Sequence, residues 1–165
     1  MEKTYLTLKE KITFPLAAFG RSGVYTIMSM FLLIFYTDAA GLDPIHAGNI
    51  ILAGRIFDAL NDPLMGMIVD RTHSKWGKMR PYLLFSPVPI AVTTILLFFA
   101  PQFSSYSAKV AYAAVTYILW GIAFTIQDVP FWGLSSVITP NEVERTRFLS
   151  NGRLGSTAGG ILPTV

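Results

Sequence analysis

The sequence contains no cysteine. That absence removes disulfides, thiol catalysis and thiolate metal sites together, and leaves the redox compartment open. Charge is scarce as well: 14% of the 165 residues are charged, against about 25% in an average soluble domain. The two histidines, His46 and His73, both fall in predicted loops, which gives little support to a histidine-ligated metal site. No phosphate-cradling loop and no serine–histidine constellation accompanies the polar residues, which argues against an enzyme. A net charge of +3, scattered along the chain, does not suit nucleic acid. What is present is apolar. The chain is 52% hydrophobic and 13% aromatic, with a mean hydropathy of +0.49, the composition of a membrane protein surrounded by lipid.

Five long apolar segments predict an all-α, polytopic fold. Helices are expected over residues 14–36, 45–69, 81–100, 108–138 and 147–165. Each is about 20 residues or more, the length that a hydrocarbon core of ~30 Å demands of a helix. The segments lack polar alternation, so membrane strands are not expected. The first segment is too long for a signal-peptide core and is read as helix one. Pro87 and Pro89 predict a bent start to helix three. Lys3, Lys9, Lys11, Arg71, Lys75, Lys78, Arg80, Arg145 and Arg147 fall on one side of this topology, and Lys109 on the other. The positive-inside rule then puts the N-terminus in the cytoplasm of a multi-pass cell-membrane protein.

Six charges remain inside the spans: Arg21, Arg55, Asp58, Asp62, Asp128 and Arg153. Each costs roughly 2.5–3.5 kcal/mol at mid-membrane, so they must face one another or a watery cavity. At about 100° per residue, Arg55 and Asp62 lie roughly 20° apart, and Asp58 within about 60° of both. One helical face thus carries a cation and two carboxylates one turn apart. Such a pair can be neutralised by a proton or by a small cation held through oxygen, with Asn61 as a neutral ligand nearby. The alternative is a packing salt bridge from Arg55 to Asp58 or Asp62. In helix four, Thr125, Asp128 and Trp132 share a stripe. A hydroxyl, a carboxylate and an indole plane are the chemistry a sugar requires. Trp132 alone would equally serve as an interfacial anchor. Arg21 and Arg153 lie near their helices' cytoplasmic ends, where either could snorkel to the headgroups. Gly155 and Gly159 form a G-x-x-x-G packing pair in helix five.

The stretch Pro63-Leu-Met-Gly66-Met-Ile-Val-Asp70, followed by Gly77-Lys78-Met-Arg80-Pro81-Tyr82, resembles a transporter signature. Tyr36-Thr-Asp38-Ala-Ala-Gly41, Arg55-Ile-Phe-Asp58-Ala-Leu-Asn61-Asp62-Pro63 and Asp128-Val-Pro-Phe-Trp132 agree with it. The family is the glycoside–pentoside–hexuronide:cation symporters, the melibiose-permease relatives within the major facilitator superfamily. The resemblance implies a twelve-helix fold in two six-helix halves, of which residues 1–165 would be an incomplete N-terminal half with the C-terminal half absent. It implies symport of a sugar with Na+, Li+ or H+ by alternating access, with no cofactor. Its partners would be lipid, the sugar or glycoside, the monovalent cation and the missing half of the carrier. By resemblance, Asp58, Asn61, Asp62 and Thr125 match the cation site, with Na+ at Asp58 and Asp62. Asp128, Trp132 and Arg153 match sugar contacts, with Arg21 beside them, and Asp70 with Arg71 resembles a cytoplasmic latch. Melibiose-type carriers place an aspartate after the helix-one basic residue, where this chain has Ser22. That departure points away from galactosides, towards other glycosides or an anionic hexuronide. Two readings compete with sugar symport: a proton-coupled facilitator for another solute, and a non-transporting membrane fragment.

Overall fold

A computed structural model of the chain describes residues 5–164, and every regular element among them is helical. In chain order these are α1 (Leu8–Ile34), a π-turn (Phe35–Ala39), α2 (Pro44–Arg71), α3 (Arg80–Phe85), α4 (Pro87–Leu97), α5 (Tyr106–Ile138), α6 (Glu142–Ile161) and a short 3-10 turn (Leu162–Thr164). Two segments, Leu8–Ala39 and Tyr106–Ile138, are long and apolar enough to cross a membrane by length and composition. At ~1.5 Å per residue α2 is about 42 Å long, but its charged residues dilute its apolar character.

Four expectations need correcting. The predicted 81–100 helix is two pieces, α3 and α4, separated at Ser86, because Pro87 has no N–H to continue the ladder. The helix expected over 14–36 begins at Leu8 and runs on through the π-turn to Ala39. There the Thr37 hydroxyl donates back to the Leu33 and Ile34 carbonyls, a competition that loosens an α-helical ladder. His46 is in the first turn of α2 rather than in a loop. Asp43 caps that turn by accepting from the Ile45 amide at 2.8 Å, with Pro44 pre-set at the first helical position. Finally, α6 begins at Glu142 instead of Arg147, because Asn141 accepts from the Val143 and Glu144 amides.

The chain divides into two compact units. The first combines the chain up to Phe31 with the chain from Gly133 onward. Here α6 lies on α1 through glycines. Gly152 packs against the Phe14 ring, and Gly155 and Gly159 against the backbone carbonyls of Pro15 and Phe19. From Gly155 to Gly159 and from Pro15 to Phe19 both helices advance by four residues in the same direction, so α1 and α6 run parallel. Phe14 stacks on Phe148 at 4.1 Å between ring centroids. Lipid is as apolar as leucine, so such close packing, rather than hydrophobic burial, is what holds membrane helices together.

At the start of α6, one carboxylate gathers the N-terminal segment. Glu144 accepts from the Tyr5 amide at 3.1 Å, the Leu6 amide at 3.2 Å and the Thr139 hydroxyl at 3.0 Å, and pairs with Lys11 at 3.6 Å. Burial pushes its carboxyl upward, but these donors and the ammonium outweigh burial and hold it below the usual carboxylate range. A lowered folded value means that the contribution is present at neutral pH and lost as pH falls through that value. Acidification is therefore expected to speed protease cleavage of the segment before α1 in the wild-type chain. Glu144→Gln should cleave fast at neutral pH and lose that acid dependence, as followed by mass spectrometry of the released peptides.

The second unit, Leu32–Trp132, is built on a different parallel pair. The Asp43 amide donates to the Tyr106 hydroxyl at 3.0 Å, Gly54 faces the Tyr117 ring, Gly121 faces Asp58, and Thr125 donates to Asp62. All four pairs are 63 residues apart in sequence. A register that holds from Asp43 to Asp62 extends over about 28 Å at ~1.5 Å per residue, so α2 and α5 run almost side by side. Between them in sequence lies the α3–α4 span, which Trp120 joins to α5 through its indole N–H on the Thr94 hydroxyl at 2.9 Å.

Candidate functional site

The expected cation residues all belong to the second unit, and the α2–α5 register brings them together. Thr125 is buried, and its hydroxyl donates to Asp62 Oδ1 at 3.0 Å. One turn earlier, the half-buried Asp58 carboxylate lies against Gly121, where a Cβ would come within 2.7 Å of Asp58 Oδ1. The absence of a side chain at Gly121 is thus what lets the carboxylate approach the α5 backbone. The charges acting on Asp58 are Arg55 and Asp62. Asn61 is half-buried between the two acids in sequence.

Each of the two helices also carries a proline shortly after its site residues. Pro63 follows Asp62 inside α2, and Pro130 follows Asp128 inside α5. A proline supplies no N–H to the carbonyl four residues earlier, so the Ala59 and Ile126 carbonyls lack their α-helical donors. Two carboxylates and a hydroxyl are hard-oxygen donors, which suit a small hard cation or a shared proton. Among the described residues there is no group of three or more His, Cys, Asp or Glu that could hold a metal ion.

Thr125→Val would keep the shape and remove the hydroxyl donor. If the cluster holds a cation, the concentration of that cation for half-maximal protection against thermal unfolding should rise about tenfold, the worth of a hydrogen bond to a charged acceptor. Thr125→Ser should restore it. Unchanged cation dependence in the valine variant would remove Thr125 from the site.

The expected sugar residues divide between the units. Asp128 and Trp132 are half-buried on α5 in the second unit, with Trp132 edge-on to Phe131 at 5.3 Å and the fully buried Pro130 between them in sequence. Arg21, half-buried on α1, and Arg153, exposed on α6, belong to the first unit. Asp70 and Arg71, the expected latch, are exposed in the last turn of α2. The loop after them is shaped rather than slack. Ser74 Oγ donates to the Gly77 carbonyl and accepts from the Trp76 amide, while Gly77 adopts φ +90°, a left-handed conformation that favours glycine.

Sequence reasoning missed Gly54, Gly121 and Tyr117. A glycine in an apolar helix carries no periodic signal, and only the partner helix shows which glycines are close approaches. The constant spacing of 63 residues was available in the sequence, but nothing distinguished it from other spacings before α2 and α5 were seen together.

Residues 13–165 match the family described as MFS/sugar transport protein. The chain is 34% identical to the inner membrane symporter YicJ of Escherichia coli (strain K12), over all of this chain and 36% of that protein. It is 32% identical to the isoprimeverose transporter of Lactiplantibacillus pentosus, over 95% of this chain and 33% of the relative. A glucuronide carrier protein homolog of E. coli K12 is 32% identical over 86% of this chain and 31% of its own length. The chain spans about a third of the length of the curated relatives it matches.

Proposed function

The chain belongs to the MFS/sugar transport protein family, a family of integral membrane transporters rather than enzymes, and from that premise we propose that it contributes to symport of a sugar or glycoside with a monovalent cation. The observation that carries this reading is the α2–α5 cluster: Asp58 against Gly121, and Asp62 bonded to Thr125. Two acids one turn apart in a membrane helix repel each other and need a compensating charge. A bound cation, sodium, lithium or a proton, supplies it reversibly, whereas a structural salt bridge supplies it permanently. Coupling requires the reversible kind.

For the sugar, Asp128 offers charge-assisted hydrogen bonds to hydroxyls and Trp132 an aromatic plane for the apolar ring face. Ser22 in place of an acid, together with the cations Arg21 and Arg153, favours a substrate other than a galactoside, including an anionic hexuronide. Names among the relatives, isoprimeverose transporter and glucuronide carrier homolog, support a pentoside or uronide class. The basic residues Arg71, Lys75, Lys78 and Arg80 support a cytoplasmic α2–α3 loop and a cytoplasmic N-terminus, and on this reading Asp70 and Arg71 act there as the latch of one transport state.

The test is uptake of glycosides and uronides into sealed vesicles, driven first by an inward sodium gradient and then by a proton gradient. It is run on this chain and on any natural continuation beyond Val165. Sodium-driven uptake supports sodium symport, and proton-driven uptake alone assigns the proton as the coupling ion. If neither gradient drives any sugar in either protein, the reading fails.

A further inference from the structure

Five of the 20 residues of α6 are charged: Glu142, Glu144, Arg145, Arg147 and Arg153. Asn151 and Thr157 are exposed on it as well, as is Arg153. At ~1.5 Å per residue α6 is about 30 Å long, the thickness of a hydrocarbon core. It is nevertheless not among the segments apolar enough to cross a membrane, whereas Leu8–Ala39, which contains α1, is. We propose that α6 is a conditional span, held across the membrane by a dock on α1 and lost from it when that dock is broken.

The dock is built at several levels of the first unit. A Cβ at Gly155 or Gly159 would collide with the carbonyl groups of Pro15 and Phe19, so the two backbones are in van der Waals contact. Ala18, between those two α1 residues, is fully buried. Phe14 and Phe148, stacked on each other, are 5% and 3% exposed. At the start of α6, Glu144 takes the Tyr5 and Leu6 amides and pairs with Lys11, and the Leu6 side chain is buried there. Arg145 donates to the Thr139 carbonyl at 3.3 Å. Two of the five charges of α6 are thus satisfied by the segment before α1 and by the turn after α5.

Charged and amide side chains oppose insertion of a helix on its own. Association of helices in lipid rests on close packing and hydrogen bonds instead of hydrophobicity. What α6 lacks in hydropathy is therefore supplied by contacts that exist only beside α1. Because α1 precedes α6 in the chain, it is made first. The inference rests on the chain being a membrane protein and not on sugar symport, so a failed uptake test leaves it standing.

The experiment uses the absence of native cysteine. Glu142→Cys and Thr164→Cys, exposed positions at the two ends of α6 and its 3-10 turn, serve one at a time as reporters in the full chain. Each is reacted with a membrane-impermeant maleimide from either side of sealed vesicles, and the two should label from opposite sides. Adding Gly155→Val/Gly159→Val should shift labelling of Thr164→Cys about tenfold towards the side of Glu142→Cys, through overpacking of a close interface. Glu144→Gln should shift it in the same sense about threefold, through weakened hydrogen bonds. Gly160→Ala, whose nearest neighbours are hydroxyl oxygens at 3.4 Å and 3.5 Å, is the control and should shift nothing. Asn151→Leu/Thr157→Leu should restore the span in the double-valine chain, because a sufficiently apolar α6 needs no dock. If the double-valine chain cannot be recovered, Glu144→Gln with and without the two leucines carries the same test. Labelling of both reporters from one side in the otherwise unaltered chain would overturn the proposal, since α6 would then not span. An unshifted Thr164→Cys in the dock variants would overturn it too, since α6 would hold itself. So would a shift that the leucines do not reverse, which would reflect lost fold rather than lost retention.

Discussion

On the proposed reading, Asp62→Asn should lower cation-driven sugar uptake by on the order of 100-fold, the loss expected when a carboxylate that holds the coupling ion loses its charge. Asp62 is the acceptor of the Thr125 hydroxyl at 3.0 Å, so the asparagine side chain keeps the volume and removes the charge that would hold the cation. Asp58→Asn should cost a similar factor, since Asp58 lies at the Gly121 face of the same register. The competing account makes Arg55 and Asp58 a packing pair, and it has a different signature. Removing one member of a buried pair is destabilising, whereas removing both is often nearly neutral. If Asp58 serves only to neutralise Arg55, the double variant Arg55→Gln/Asp58→Asn should recover uptake that the single variant lost. If Asp58 holds the coupling ion, the double variant should stay inactive and lose its response to sodium or protons in sugar-binding titrations. Recovery in the double variant would reject the cation-site reading outright.

The second large effect is structural. Gly159→Val should destabilise the first unit by about 3 kcal/mol, the upper part of the range for overpacking a close interface. At Gly159 a Cβ would meet the Phe19 carbonyl, carbon and Cα, which are backbone atoms of a helix and cannot rotate away. Gly155 meets the Pro15 backbone in the same manner. Gly152 is less constrained, because its neighbour is the Phe14 ring, a side chain that can shift. Gly160→Ala should be nearly neutral: its nearest neighbours are the Thr26 and Ser22 hydroxyl oxygens, at 3.4 Å and 3.5 Å. Thermal unfolding in detergent, followed by circular dichroism, should rank the variants as Gly159→Val, then Gly152→Ala, then Gly160→Ala. A Gly159→Val chain as stable as Gly160→Ala would show that α1 and α6 do not pack through this glycine in the membrane.

Much of the helical order could be read from the sequence because lipid imposes simple rules. A long apolar run must close its own hydrogen bonds, and the only economical way is a helix. Asp43-Pro44 and Asn141-Glu142 carry capping information at the level of single residues, although apolar periodicity alone leaves the latter in a loop. The break at Ser86 was only half legible. Pro87 and Pro89 announced a bend, but a kink and two separate helices share that signature. The π-turn was invisible, because its cause is a threonine hydroxyl competing for carbonyls one turn back, and threonine occurs in ordinary helices too.

The candidate site divides in the same way. Sequence alone determined that Arg55, Asp58 and Asp62 share a face of one helix, and that Thr125, Asp128 and Trp132 share a face of another. Helical periodicity is a local property, so those faces follow from spacing. It also determined that such charges need compensation, because the membrane penalty is independent of fold. Only the tertiary structure decided that the two faces meet, in a register of 63 residues, with Gly121 leaving room for Asp58 and Thr125 reaching Asp62. Likewise, only the structure decided that Glu144 binds the N-terminal segment and that Gly155 and Gly159 lie on the α1 backbone. Each of those contacts joins residues tens to more than a hundred positions apart, and local spacing carries no information about which distant surface a side chain will meet.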